Sequence, residues 1–467
     1  MSGSLAHQVH APTDTYTPDR GDPAYVVTHY DLDLDYKVST NRLAGRAVLD
    51  VTAVEDVRRV VVDLVGLRVL KVAVGGRPAK WVHRGPRVLV TPPAPLPRGS
   101  RTQVMITYAG TPGPTRTLWG DVGWEELTEG ALVAAQPNGA PTWFPCNDHP
   151  RHKATYRIAF ESDSPYDVVA TGTLVETRVR GSRTRRVFEQ HVPMATYLAT
   201  VHVGRYVRRA LAPADIPITV LLPALHERPV MHDLARLPEM TRLFGALFGP
   251  YPFADYTVVV TADDLEIPLE AHALATFGPN WLDGRRRHER LVAHELAHQW
   301  FGNSLTPQAW ADIWLNEGFA CYAEWLWGEH ADGVPVGTSA GNHWSLLARL
   351  PQDLVLGDPG PDLMFDDRVY KRGALTLHAL RLEVGDDVFF DVLRDWTETH
   401  RHASVSTDEF VDLVDVHVRR AHGGSRGSSG GGPGVGADTA AARAADLLEQ
   451  WLWGTDLPRL EPAAQQR

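Results

Sequence analysis

Cysteine is almost missing from this sequence: Cys146 and Cys321 are the only two among 467 residues. Neither sits in a Cys-x-x-Cys pattern, so a disulfide framework is excluded and a reducing, cytoplasmic setting is expected. No stretch approaches the ~20 consecutive apolar residues that a membrane-spanning helix needs. Met1 to Asp22 is polar and lacks an apolar core, so no signal peptide is expected, and 1–22 reads as a disordered segment. Long basic runs are missing too. With 46 basic against 57 acidic residues the formal charge is -11, which argues against nucleic acid or an anionic membrane as the main partner. What remains is ordinary: 43% hydrophobic and 22% charged residues, enough to bury the cores of two or three domains.

The patterning divides the chain. From Tyr30 to Val38, the residues Tyr30, Leu32, Leu34, Tyr36 and Val38 alternate with Asp31, Asp33, Asp35 and Lys37, the period of two that marks a half-buried strand. Further short strands follow, around Val60–Leu64, Val88–Thr91, Val104–Tyr108, Asp167–Ala170 and Tyr197–Val203. They are separated by Gly, Pro, Asp and Arg clusters. The expected organisation is an all-β domain over 23–210, then an α+β domain over 211–467 that is mostly helical from Arg285 onward. Gly423 to Gly436 is a Gly/Ser-rich run expected to be a flexible loop, after which Ala444 to Trp453 resumes a helical pattern.

Within the second part lies HELAH, closing on WLNEG with eighteen residues between His298 and Glu317. On a helix of about 3.6 residues per turn, His294 and His298 project from one face and their imidazoles can converge on one metal ion. Glu317, on a following helix, is the candidate third ligand, leaving a fourth position for water. Glu295 points roughly 100° away from His294 and so borders that water without binding the metal, the place of a general base. Two histidines and a carboxylate suit zinc, one ion per chain, though the donor set alone also admits other divalent ions. Asp312 is a candidate acceptor for the outer N–H of a ligating imidazole.

AHELAHQWFGN (293–303) with WLNEGFA (314–320) closely resembles the aminopeptidase N family of zinc metallopeptidases. The resemblance extends to WFPCNDHPRHKA (143–154), PMATYLATVHV (193–203), FGPYPFADY (248–256) and WLWGTDLP (451–458). It implies a saddle-like N-terminal β domain followed by a thermolysin-like zinc-peptidase domain. It also implies His294, His298 and Glu317 as zinc ligands, Glu295 as general base, and Tyr370 in VYKRGAL (369–375) as hydrogen-bond donor to the oxyanion. By the same resemblance Glu270 anchors the substrate's free amine, with Glu266 as the competing carboxylate, and Gln136 lines the first side-chain pocket. The sequence departs from the family at Pro268, Ala271 and Asn138, around the amine-reading positions. It also lacks the length for the large helical C-terminal domain of many relatives, so none is expected. The activity expected is removal of N-terminal residues from peptides with a free N-terminus. Two alternatives stand beside it: a catalytically silent, zinc-containing peptide-binding module, and an epoxide hydrolase like the family's leukotriene hydrolase branch. The sequence leaves the oligomeric state open.

Overall fold

A computed structural model describes residues 13–423 and 435–460. The chain forms two compact units: Met1–Ala212 with Ile216–Ala235 and Phe253–Arg286, and Pro213–Asp215 with Arg236–Pro252 and Arg287–Arg467. The architecture follows the patterning: a β-rich part, then a mixed α/β part that becomes helical towards its C-terminus.

In the first unit an eight-stranded sheet takes the order Thr173–Arg180, Arg183–Ala195, Lys153–Asp163, Tyr25–Lys37, Arg42–Ala53, Arg101–Gly110, Arg68–Val74, Arg77–Pro78. Its neighbours run antiparallel except Tyr25–Lys37 beside Lys153–Asp163, which are parallel. The alternation read from the sequence is realised: Tyr30, Leu32, Leu34 and Tyr36 are all buried. Tyr30 stacks on Tyr156 with ring centroids 5.0 Å apart. The Tyr108 ring crosses Gly45, where a Cβ would come within 2.4 Å of its Cζ, so only glycine lets the ring lie there. Its hydroxyl donates to the Trp143 carbonyl at 2.9 Å.

Two further sheets of five strands each belong to this unit. One of them, Val207–Leu211, Ile218–Leu222, Tyr256–Val260, Leu274–Phe277 and Leu269–Ala271, lies largely beyond residue 211. A shared core explains the grouping, because Val169 from the other five-stranded sheet packs with Leu221, Val259, Ala271 and Leu274.

The N-terminal segment expected to be disordered is corrected over its described part. Residues 1–12 lie outside the described residues, but Tyr16 is buried and Asp14 Oδ1 accepts from its backbone N–H at 2.8 Å. Gly21 N–H donates to Asp63 Oδ2 at 2.8 Å and Asp22 N–H to Asn147 Oδ1 at 2.7 Å. These long-range bonds satisfy a polar backbone that composition alone marks as unstructured. Residues 424–434 of the expected flexible loop also lie outside the described residues.

The second unit is built on helices. Glu289–Ala297 carries HELAH, Trp314–Asp332 carries Glu317, and Asp367–Val384 carries Tyr370. The last two meet at a pair of glycines: a Cβ on Gly318 would lie 2.8 Å from Gly373 Cα. Small residues at the crossing let the two backbones approach, and they sit beside Glu317 and three residues after Tyr370. The Arg372 guanidinium, one position away, is buried and donates to the carbonyls of Leu354, Trp451 and Thr455 at 3.1, 3.0 and 2.8 Å. That bond set ties the WLWGTDLP segment to the same helix. No helix among the described residues is long and apolar enough to cross a membrane.

Candidate metal centre

His294 lies in the last turn of its helix and His298 is the helix C-cap, and their rings meet edge to face with centroids 4.7 Å apart. Glu317 enters the first turn of Trp314–Asp332 and aims its Oε2 at both: 3.4 Å from His294 Nε2 and 3.6 Å from His298 Nε2. All three residues are buried.

The outer nitrogens define what the inner ones are. His298 Nδ1 is 3.0 Å from the Phe301 carbonyl, which only accepts, so Nδ1 carries the proton and Nε2 presents a lone pair. His294 Nδ1 is 2.8 Å from Glu324 Oε1, a buried carboxylate that fixes the same tautomer. Three potential metal donors therefore converge, and without a metal only a proton on His294 Nε2, facing Glu317 Oε2, lies among them. Such a cluster repels itself unless a cation sits within it, and two imidazole nitrogens with one carboxylate oxygen form the donor set of a catalytic zinc site with one position open. The residues fit the metal.

The local field agrees. Burial disfavours a charged His294, yet the contacts with Glu317 and Glu324 outweigh it and push its pKa up to about 10. For Glu324, burial is likewise outweighed, by His294, so its carboxyl is held down at about 2. This negative well attracts a cation, and a dication satisfies it better than the proton does. The Glu324 carboxylate is steadied by Arg290 Nη1, 3.0 Å from its Oε2.

Glu295 is buried on the same helix, one position beyond His294. Tyr370 lies beside the metal ligands, its ring roughly parallel to that of His294 at 6.1 Å. Lys371 extends its ammonium to within 3.4 Å of Cys321 Sγ, and both groups lie on the helices that carry Tyr370 and Glu317. The turn after His298 also has a steric requirement. Gly302 has φ +118°, and a Cβ there would lie 3.3 Å from His298 Nδ1 and 3.2 Å from Asn316 Nδ2.

In the first unit the structure joins two other candidates. Glu270, half-buried on the strand Leu269–Ala271, accepts a hydrogen bond from Gln136 Nε2 at 2.7 Å. Glu266 is exposed, in a bend just before that strand. Pro268 precedes the strand and Ala271 is buried in it.

One expectation is corrected. Asp312 does not support a ligating imidazole: its Oδ1 accepts from the backbone N–H and hydroxyl of Thr407, at 2.9 and 2.8 Å, at the start of the helix Thr407–Gly423. Glu324 has that role at His294 instead. It stands seven residues after Glu317, two helical turns along the same face, a spacing visible in the sequence.

These features define a gluzincin-type metallopeptidase centre, and comparison with known proteins is specific. Models of the peptidase family M1 domain and of the peptidase M1 N-terminal domain match residues 239–421 and 26–198. The M1 zinc metallopeptidase of Deinococcus radiodurans is 32% identical with a TM-score of 0.83, the match covering 97% of this chain and 100% of that one. A mutant of that enzyme bound to a Tyr-Ser-Ala substrate matches with 31% identity and a TM-score of 0.84. Among curated relatives, leukotriene A-4 hydrolase of Xenopus laevis is 24% identical over 87% of this chain and 71% of its own length. Leucine aminopeptidase 2 of Yarrowia lipolytica is 27% identical over 80% of this chain and 61% of its own. This chain belongs to the M1 family of zinc metallopeptidases.

Proposed function

We propose that the protein is a zinc aminopeptidase that removes residues from the free N-terminus of peptides. The observation that carries this reading is the convergence of His294 Nε2, His298 Nε2 and Glu317 Oε2, with both outer imidazole N–H groups engaged, beside Glu295 and Tyr370. The Tyr-Ser-Ala complex of the Deinococcus relative supports peptides as the substrate class.

His294, His298 and Glu317 hold the metal. Zinc, when bound, acts as a Lewis acid that makes water nucleophilic near neutral pH and polarises the scissile carbonyl. Glu295 takes the proton from the attacking water and delivers it to the leaving amine. Tyr370 donates its phenolic O–H to the oxygen that gains negative charge. Glu270 accepts from the substrate ammonium in a charge-assisted hydrogen bond, and Gln136 holds that carboxylate in place through the bond at 2.7 Å.

The test is a panel of aminoacyl chromogenic substrates beside their N-acetylated forms, assayed before and after chelation. The reading expects hydrolysis of free-amine substrates only, lost with chelator and restored by zinc. Equal cleavage of acetylated forms would replace it with an endopeptidase. Bound zinc with no hydrolysis across the panel would replace it with a silent peptide-binding module, and turnover of a lipid epoxide alone with an epoxide hydrolase.

A further inference from the structure

The eight-stranded sheet of the first unit ends at Thr173–Arg180, which among the described residues is hydrogen-bonded on one flank, to Arg183–Ala195. Exposed sheet edges are ordinarily blunted by shortness, charged side chains, proline or bulges, because their free N–H and C=O groups template another strand. This edge is eight residues long, TLVETRVR, has no proline, and carries three charged residues, Glu176, Arg178 and Arg180, which decide what can pair with it. It exposes Leu174 at 38%, Val175 at 52% and Val179 at 66%. A bulge after Leu174 leaves Glu176 to Arg180 as its regular run.

Charge says which partner fits. Arg178 stands opposite Arg185, and Arg180 opposite Arg183, pairs that would repel if left alone. Yet Arg183 reaches Asp35, Glu161 and Asp163, Arg185 holds Asp33 through two bonds, and Arg178 pairs with Glu176 at 2.7 Å. The face is balanced, so an anionic ligand gains little there.

We propose that two copies of this chain associate through this edge, Thr173–Arg180 pairing antiparallel with itself about a two-fold axis at Thr177. Self-pairing must set one residue opposite itself, because setting residue i opposite i+1 would match an inward-bonding backbone with an outward-bonding one. Centred on Glu176, the register opposes two carboxylates; centred on Arg178, it opposes two guanidiniums. Centred on Thr177, Glu176 meets the partner's Arg178, a contact made twice by symmetry, while Val175, the bulged residue, lies outside the regular run. This register alone pairs opposite charges with no like charges opposed. One added strand pair buries less than the ~1,200–2,000 Å² of a standard stable interface, so the dimer is reversible and concentration-dependent.

Sedimentation equilibrium of the full chain tests this. The weight-average mass of the wild type is expected to rise with concentration towards twice 51.5 kDa. Glu176→Arg and Arg178→Glu each place like charges at both contacts and are expected to weaken association at least tenfold, with hydrolytic activity retained as the check on folding. Mixing the two single variants, or combining them as E176R/R178E, restores opposite charges and is expected to restore the dimer. As a second measurement, Thr177→Cys is expected to form an intermolecular disulfide under mild oxidant, while the wild type, whose cysteines are both buried, does not. A wild type monomeric at every concentration, single variants that dimerise like wild type, an active E176R/R178E that stays monomeric, or no Thr177→Cys crosslink would each overturn the proposal.

Discussion

Replacing Glu324 by glutamine isolates the orienting of a metal ligand from ligation itself. Glu324 touches no reacting atom, but its carboxylate accepts the His294 Nδ1 proton at 2.8 Å in a buried setting and is held ionised by that contact. Glutamine keeps the volume and one acceptor oxygen. It loses the charge that makes the imidazole a stronger donor to the metal, and it loses the ion pair to Arg290 at 3.0 Å. Loss of such an outer partner typically lowers metal affinity about 10–100-fold. At about 1.4 kcal/mol per tenfold, that is roughly 1.4–2.8 kcal/mol. Competition with a zinc-chelating dye should show this weakening, while turnover at saturating zinc falls less than in a variant lacking Glu295. Zinc affinity within twofold of wild type would refute the reasoning, because the tautomer of His294 would then not depend on Glu324.

Other expectations follow from the same geometry. Tyr370→Phe, which removes a single donor to the oxyanion, should lower kcat about 10²–10³-fold with little change in KM, measured by steady-state kinetics on a free-amine substrate. Arg372→Ala leaves several buried carbonyls without a donor and should cost on the order of 3 kcal/mol or more, read from the denaturant midpoint. In the first unit, burial raises Asp63 to about 6 and Asp148 to about 7, each aggravated or opposed by charged neighbours. Because these folded-state values lie above the free carboxyl value, the folded chain binds more protons than the unfolded one. Their contribution is present at low pH and lost as pH rises through about 6–7. Asp148→Asn should therefore stabilise the protein more at pH 8 than at pH 5, and the opposite trend in chemical denaturation would show that Asp148 is held ionised.

The parts of this structure that were legible in the sequence are those set by local periodicity. The Tyr30 to Tyr36 alternation faces the core as read, and the i, i+4 spacing of His294 and His298 delivers two inward nitrogens. What escaped depends on contacts distant in sequence. Residues 13–22 look unstructured by composition and are ordered by Asp63 and Asn147, more than forty residues away. Asp312, adjacent to the metal segment, is engaged by Thr407 from a helix almost a hundred residues on, while Glu324 takes the place beside His294. The closeness of Tyr370 to the ligands required the Gly318–Gly373 crossing, which no single-helix pattern encodes.

The most direct test of the account is a paired measurement on Glu295→Gln: zinc per chain by atomic absorption, and turnover of a free-amine substrate by the same sample. Because three other residues complete the ligand set and Glu295 acts on the proton, the variant should keep one zinc per chain and lose roughly 10²-fold or more in kcat. Loss of the metal, or turnover close to wild type, would contradict the assignment of the metal to His294, His298 and Glu317 and of the proton to Glu295.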